Sequence, residues 1–412
     1  MIIQRCKGSK DLCPEEMTGF RLVEDTFRDS CLKWGYGEVR TPTLEYLHLF
    51  TSTGTLTPAM LGKVYSFLDW DGWSGERVVL RPDGTIPVAR LYIDNLAGKG
   101  LAKLFYVTNV FIFEPTGKES REKWQCGAEL IGGDPRLADI ELMLLALEVL
   151  RKLGIKDINL RISHAGVIRA ILKKARLSPE EEVRIFDRIL DGDAEALAGL
   201  GAKRPELEQI LPLLLNLKGK SSGFLKNMKA LLNGSFPEMG TALDDFIGIA
   251  ASLEELGISY QIDVTSGRGL EYYTGIMFQL YSGEERVGGG GRYDALIPLM
   301  GGADTTASGF ALYQERLMSL LSTEVCARPA GRRVLVRTSP DALRRGLDVA
   351  GKLREAGYVA EFYHSRTNPK EISWLVDVGE DGLVLTDIAR QKNHEFQSAG
   401  EILAFLRESG RK

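Results

Sequence analysis

The sequence predicts an α+β chain followed by a smaller α/β unit, and three observations carry that reading. Two short runs rich in β-branched and aromatic residues, Leu104 to Phe113 and Trp124 to Ile131, flank a polar loop and read as paired strands. Long stretches with apolar residues at helical spacing lie on either side of them. A composition shift at Ser322 to Arg332 (STEVCARPAGR) then marks a linker, after which the pattern becomes β-α-β.

The elements follow in order. Pro14 opens a helix in which Phe20, Val23, Phe27, Cys31 and Trp34 share one face, and Gly35 ends it. YGEVRTPTLEYLHLF is extended around Pro42, and Val78 to Leu80 form a strand that enters a Pro-Asp-Gly turn. Between the paired strands, Pro115 and Gly117 turn the loop from Glu114 to Lys123, where Lys118, Arg121 and Lys123 could hold an anion such as a phosphate. Taken alone, this is a solvated hairpin turn. Leu137, Ile140, Leu144 and Leu147 mark an amphipathic helix, and DINLRIS a strand. From His164 to about Leu253 the pattern is helical, an inserted module in which Ser178-Pro179-Glu180-Glu181 suits an N-cap, N1 proline and acidic first turn. Strand patterns return in SYQIDVTSGRGLEYYTGIMFQLY and VGGGGRYDALIPLMGG, and residues 333–412 form the small α/β unit, ending in a helix near Glu401 to Leu406.

Composition narrows the function. The 412 residues suffice for two or three domains, and 44% hydrophobic with 26% charged residues is ordinary globular composition. A net charge of −4 argues against a surface dedicated to nucleic acid. Five scattered cysteines without a C-x-x-C pair indicate neither zinc nor a disulfide framework. No signal core or membrane-length apolar run is present, so a cytoplasmic location without a membrane partner is the default expectation. The four histidines fit neither H-E-x-x-H nor a Ser/His/Asp pattern, and Gly288 to Gly291 match neither a Walker loop nor G-x-G-x-x-G. No metal or cofactor is therefore expected.

Several segments are more specific. F-x-x-E at Phe111 to Glu114, followed by Arg121, Gln125 and Glu129, resembles motif 2 of the class II aminoacyl-tRNA synthetases, specifically the histidyl enzyme. R-P-D-G-T ending at Thr85, R-G-L-E-Y-Y-T-G from Arg268, G-G-R-Y-D and S-G-F-A-L-Y-Q-E-R-L resemble that family's histidine-pocket segments and motif 3, and the context of Pro42 resembles its motif 1. The resemblance implies a class II synthetase-like core, an antiparallel sheet flanked by helices, over residues 1–322 with the helical insertion at about 164–253. A linker at 323–332 then leads to a domain loosely similar to an anticodon-binding domain. In that domain, 14 Lys and Arg against 12 Asp and Glu from Arg332 onward give no RNA-reading excess.

Residue by residue, the resemblance implies a histidine site at Asp83, Thr85, Gln125, Glu129, Arg268, Tyr272 and Tyr273. Acidic and amide groups there suit the α-ammonium and imidazole N–H, and Arg268 suits the carboxylate. It also implies a degenerate ATP site at Ile112, Arg121, Tyr313 and Arg316. Ile112 stands where the family has an arginine that grips the α-phosphate and the amino-acid carboxylate, and Tyr313 stands where it has a glycine. Losing one preorganised cation costs roughly 3 to 4 kcal/mol of transition-state stabilisation. A ring replacing a glycine that lets the nucleotide approach the backbone is a second, independent lesion.

H-A-G-V-I-R-A-I-L from His164, with the following D-x-x-A-L segment, resembles the regulatory subunits of ATP phosphoribosyltransferase in particular. That family implies a noncatalytic chain that partners a short-form catalytic subunit in histidine biosynthesis, takes histidine as a ligand, self-associates through the class II dimer interface and does not bind tRNA. No loop of the kind that cradles 5-phosphoribosyl diphosphate is evident, which places the chemistry on another chain. The alternatives are an active histidyl-tRNA synthetase with a divergent ATP site, separable by pyrophosphate exchange, and a synthetase-like RNA-binding protein, separable by a tRNA gel shift.

Overall fold

Alternation along the strands decides how the first unit is layered. The computed structural model describes residues 4–53, 61–69, 75–174, 178, 181, 185, 219–232, 237–263, 272–322, 333–364 and 372–409. They divide into two compact units, Met1–Ser322 and Thr323–Lys412.

The first unit begins with helix α1 (Pro14–Lys33), strands β1 (Gly37–Glu38) and β2 (Leu44–Tyr46), α2 (Leu47–Thr51), β3 (Ser66–Leu68) and β4 (Arg77–Leu80). Then come α3 (Thr85–Asn95), the long pair β5 (Ala102–Phe111) and β6 (Glu122–Ile131), α4 (Pro135–Lys152), β7 (Ile158–His164) and α5 (Ala165–Lys174). It closes with α6 (Ser222–Leu232), α7 (Gly240–Glu255), β8 (Tyr260–Ile262), β9 (Ile276–Ser282), β10 (Glu285–Arg292), α8 (Leu296–Leu299), β11 (Ala307–Tyr313) and α9 (Gln314–Leu320). An eight-stranded sheet runs β1-β5-β6-β11-β10-β9-β7-β8, antiparallel except for the outer pairs β1 with β5 and β7 with β8. A second, small antiparallel sheet has the order β2-β4-β3, with β4 in the middle.

On one face of the large sheet Phe105, Cys126, Ala128, Leu130, Phe310 and Leu312 join the main core with Val23, Phe27 and Cys31 of α1 and the apolar side chains of α4 and α7. On the other face Leu104, Tyr106, Ile131 and Ala307 pack with Phe50 and with Ile86, Val88 and Ala89 of α3. Successive strand residues point to opposite faces, so the same strands supply both cores.

The helix pattern around Leu137 differs from the expectation. Leu137 is 66% exposed, in the first turn, where its N–H donates to the capping Asp134 carboxylate at 2.9 Å. Buried positions instead run around much of α4, including Ile140, Leu142, Met143, Leu145, Ala146 and Val149, because the helix packs on the sheet and on both α1 and α7. In the helical module, Ser178 caps as expected and Glu181 returns the bond, with the Glu181 N–H donating to Ser178 Oγ at 3.3 Å and the Ser178 N–H to the Glu181 carboxylate at 3.2 Å. The remainder of that expected helix pair lies largely outside the described residues.

The second unit contains β12 (Arg333–Thr338), α10 (Leu343–Glu355), β13 (Val359–Phe362), β14 (Trp374–Val378), β15 (Leu383–Asp387), β16 (Lys392–Phe396) and α11 (Ala399–Ser409). Its mixed sheet has the order β13-β12-β14-β15-β16 and a core built on Val334, Val336, Val376, Leu385, Leu353 and Ile402.

A buried ionic cluster locks the helices to the large sheet. Arg292, at the end of β10, donates from Nε to Asp139 of α4 at 3.1 Å and from Nη1 to Asp245 of α7 at 2.8 Å. Asp245 also meets His164 Nε2 at 3.1 Å, and Ser308 of β11 donates to Asp139 at 2.7 Å. Removing one member of such a buried pair strands its partners. Arg292→Met should therefore lower stability by about 3 to 5 kcal/mol in urea unfolding. Lys33→Met, which breaks the exposed pair with Asp29, should cost under about 1 kcal/mol.

Candidate functional site

The centre of the second sheet face holds a carboxyl group enclosed by hydroxyls. Glu129 of β6 is 1% exposed, and its Oε1 accepts hydrogen bonds from Thr85 Oγ1 at 2.8 Å and the Tyr106 hydroxyl at 3.1 Å. Its Oε2 accepts from the Tyr293 hydroxyl at 2.6 Å. Burial pushes the Glu129 carboxyl up to about 8, against the hydrogen bonds from Tyr293 and Thr85, which favour the carboxylate.

Glycines make the space. Across the register from Glu129 is Gly309, where a Cβ would lie 1.6 Å from Glu129 Oε2. Tyr106 is wedged between Gly127 and Gly84, whose Cβ atoms would lie 2.2 and 2.6 Å from its ring. Alanine at any of the three would collide with a pocket side chain.

Asp83 and Thr85 stand at the start of α3. The Asp83 carboxylate accepts the Ile86 N–H at 2.8 Å, so the expected Asp-Gly turn is also a helix cap. Burial raises Asp83 to about 6, with the N–H groups of Ile86, Thr85 and Gly84 opposing. Tyr272 is buried edge-on between Tyr273, at 5.1 Å, and Tyr293, at 5.5 Å. Gln125 lies on β6 between Thr108 and Tyr313 on the neighbouring strands. Asp83, Thr85, Glu129, Tyr272 and Tyr273 thus converge, with Gln125 further along the same sheet face; Arg268 falls outside the described residues.

The positions assigned to a nucleotide form no such cluster of cations. Ile112 follows β5 and donates its N–H to the Arg121 carbonyl at 2.9 Å. Arg121 donates from Nε to the Glu114 carbonyl at 2.7 Å, and its guanidinium lies 4.7 Å from the Phe113 ring centre. Arg316, 55% exposed, pairs with Glu285 at 2.7 Å. Tyr313 ends β11 directly opposite Gln125. Within the loop, Lys123 pairs with Glu119 at 3.2 Å.

Sequence reasoning did not single out Tyr106 and Tyr293 as contacts of Glu129. Tyr293 lies within G-G-R-Y-D, whereas Tyr106 faces Gly127 only through the observed register of β5 and β6, which the expected strand bounds do not give.

Comparison with known proteins places this geometry. The family model for histidyl-tRNA synthetase matches residues 8–317. A protein of Dehalococcoides mccartyi named ATP phosphoribosyltransferase regulatory subunit is 49% identical over 406 residues, 98% of either chain. A histidine–tRNA ligase of Methanocaldococcus jannaschii is 35% identical over 373 residues, covering 88% of this chain and 86% of its own. Among solved structures, an ATP phosphoribosyltransferase regulatory subunit/histidyl-tRNA synthetase from Bacillus halodurans superimposes with a TM-score of 0.77, at 23% identity, over 92% of this chain and 98% of its own, a likeness of fold.

The raised Glu129 carboxyl predicts a pH dependence of stability. Below its ordinary value of 4.5 the group is protonated in both the folded and the unfolded chain. As pH rises towards about 8 the unfolded chain releases the proton and the folded one retains it, so stability falls across that window and the loss is complete above it. Glu129→Gln should remove this component and gain a few kcal/mol on the parent between pH 5 and 9 in urea titrations. Parallel pH profiles of the two proteins would refute the assignment.

Proposed function

The chain belongs to the histidyl-tRNA synthetase family and, within it, to the ATP phosphoribosyltransferase regulatory subunits, and from this we propose that it is the noncatalytic regulatory subunit of an ATP phosphoribosyltransferase, acting with a short-form catalytic subunit and binding histidine in the Glu129 pocket. One observation carries this reading. The face that encloses Glu129 in hydroxyls carries Tyr313 where the resemblance calls for a glycine, and Ile112 stands where it calls for an arginine. Such a chain retains groups suited to an amino acid and lacks those that grip and admit ATP.

We read Asp83, Thr85, Gln125, Glu129, Arg268, Tyr272 and Tyr273 as the histidine contacts, and Ile112, Arg121, Tyr313 and Arg316 as the remnant of the nucleotide site. Residues 1–322 form the synthetase-like core and 333–412 the C-terminal domain, joined at 323–332. Leu44, Tyr46 and Phe67 on the small sheet are exposed, which supports self-association there, as the class II dimer interface implies. In the C-terminal domain Arg333 pairs with Glu361 and Arg337 with Asp377, which favours a packing or assembly role over RNA reading.

A regulatory chain acts only through an interface whose free energy differs between the partner's active and inactive states. Mixed with a short-form catalytic subunit, this chain should raise formation of phosphoribosyl-ATP and confer feedback inhibition by histidine of about 5- to 150-fold, the usual range of allosteric coupling. A partner equally active and equally histidine-sensitive without the chain would defeat the proposal. The second reading, an active synthetase, is favoured by the 35% identity to the Methanocaldococcus jannaschii ligase and predicts ATP-dependent pyrophosphate exchange with histidine. Exchange within tenfold of a working synthetase would establish that reading instead. Calorimetry should show histidine binding that Glu129→Ala weakens by about 1.5 to 3 kcal/mol.

A further inference from the structure

Resting on the reading of the Glu129 pocket as a histidine site, we propose that Arg286 is a specificity-determining residue, a cation that takes the ligand's carboxylate in place of the arginine missing at Ile112. Three features of the strand place it there. The pairing of β10 with β9 slips between Arg286 and Gly288, a bulge that sends Val287 into the helix-side core and leaves Arg286 on the pocket side. A Cβ on Gly289 would lie 3.2 Å from Arg286 Nη2, so the guanidinium crosses the glycine-lined face of β10. It also lies 5.4 Å from the ring centre of Tyr313.

Its electrostatic reach extends to the pocket. Burial and the neighbouring Tyr313 raise the Tyr273 hydroxyl, and the Arg286 charge acts in the opposite sense. Tyr273 itself stands 3.0 Å from where a Cβ of Gly291 would be. Gly291 pairs with Gly309, over which the Glu129 carboxyl sits, and Gly289 pairs with Ala311, two residues further along β11. Two residues of strand and one strand spacing separate the two ends by about 8 Å. A histidine-sized zwitterion bridges that span with a hydrogen bond at either end. Acidic groups at one end and a guanidinium at the other match its charges, and a planar fork suits a carboxylate.

Tyr313 then has two consequences. Its ring fills space where the resemblance places a backbone approach for ATP, and the same ring supports the cation that replaces the lost one.

The test compares two ligands on the full-length chain by calorimetry. Histidinol carries an alcohol where histidine carries the carboxylate. Arg286→Gln should weaken histidine about 10- to 100-fold and change histidinol by no more than about twofold, while Arg286→Lys should recover part of the histidine affinity. Equal losses for both ligands would mean that Arg286 merely shapes the pocket, and no loss for either would remove it from the site; both outcomes overturn the proposal. Wild-type protein that binds neither ligand would overturn it together with the histidine-pocket reading, whereas histidine binding weakened by Glu129→Ala but unaffected by Arg286→Gln would overturn the role of Arg286 alone.

Discussion

A carboxyl group kept out of water on the middle of a sheet must find every partner within the protein, and Glu129 is that group here. Its three hydroxyl donors come from the start of α3, from β5 and from the residue after β10, at separations of 44, 23 and 164 residues. None is a local neighbour, so the carboxyl is satisfied only once the sheet has assembled β5, β6, β11 and β10 side by side. The glycines opposite Glu129 and around Tyr106 follow from the same demand, since a single methyl group at Gly309 would occupy the carboxylate's position.

Adjacent residues of the sheet serve two different purposes because they face opposite sides. Arg292 points to the helix layer and joins Asp139 to Asp245, while Tyr293, the next residue, reaches Glu129. Asp245 belongs to α7, the last helix of the helical module, and meets His164 at the module's entry. The pocket and the module are thereby fixed to one strand end. Coupling between the proposed histidine pocket and the module would require two discrete arrangements of this cluster.

In the proposed reading, the departures from the synthetase pattern fall on one strip of the sheet. Ile112 withdraws a cation, Tyr313 adds a ring, and Arg121 spends its hydrogen bond on the Glu114 carbonyl. The Glu129 end is untouched by these changes because it lies further along β6 and β11, beneath α3 and the Tyr272 to Tyr293 ring cluster.

The sequence by itself determined the strand pair around the motif 2 loop, α1 with its buried face, the strand before α3 and the break near Ser322, since each depends on local periodicity, turn residues or caps. Its motif order also brought out Glu129, Thr85, Tyr272 and Tyr273. Only the tertiary structure decided that Leu137 is exposed while most of α4 is buried, for a helix layered between a sheet and other helices has no simple polar stripe to read. It alone decided that Thr85 turns to Glu129 and Asp83 caps α3, that Arg316 pairs with Glu285, and that a bulge turns Arg286 toward the pocket. Those outcomes depend on strand register and on partners distant along the chain, and a one-residue shift in register would send each side chain to the opposite face.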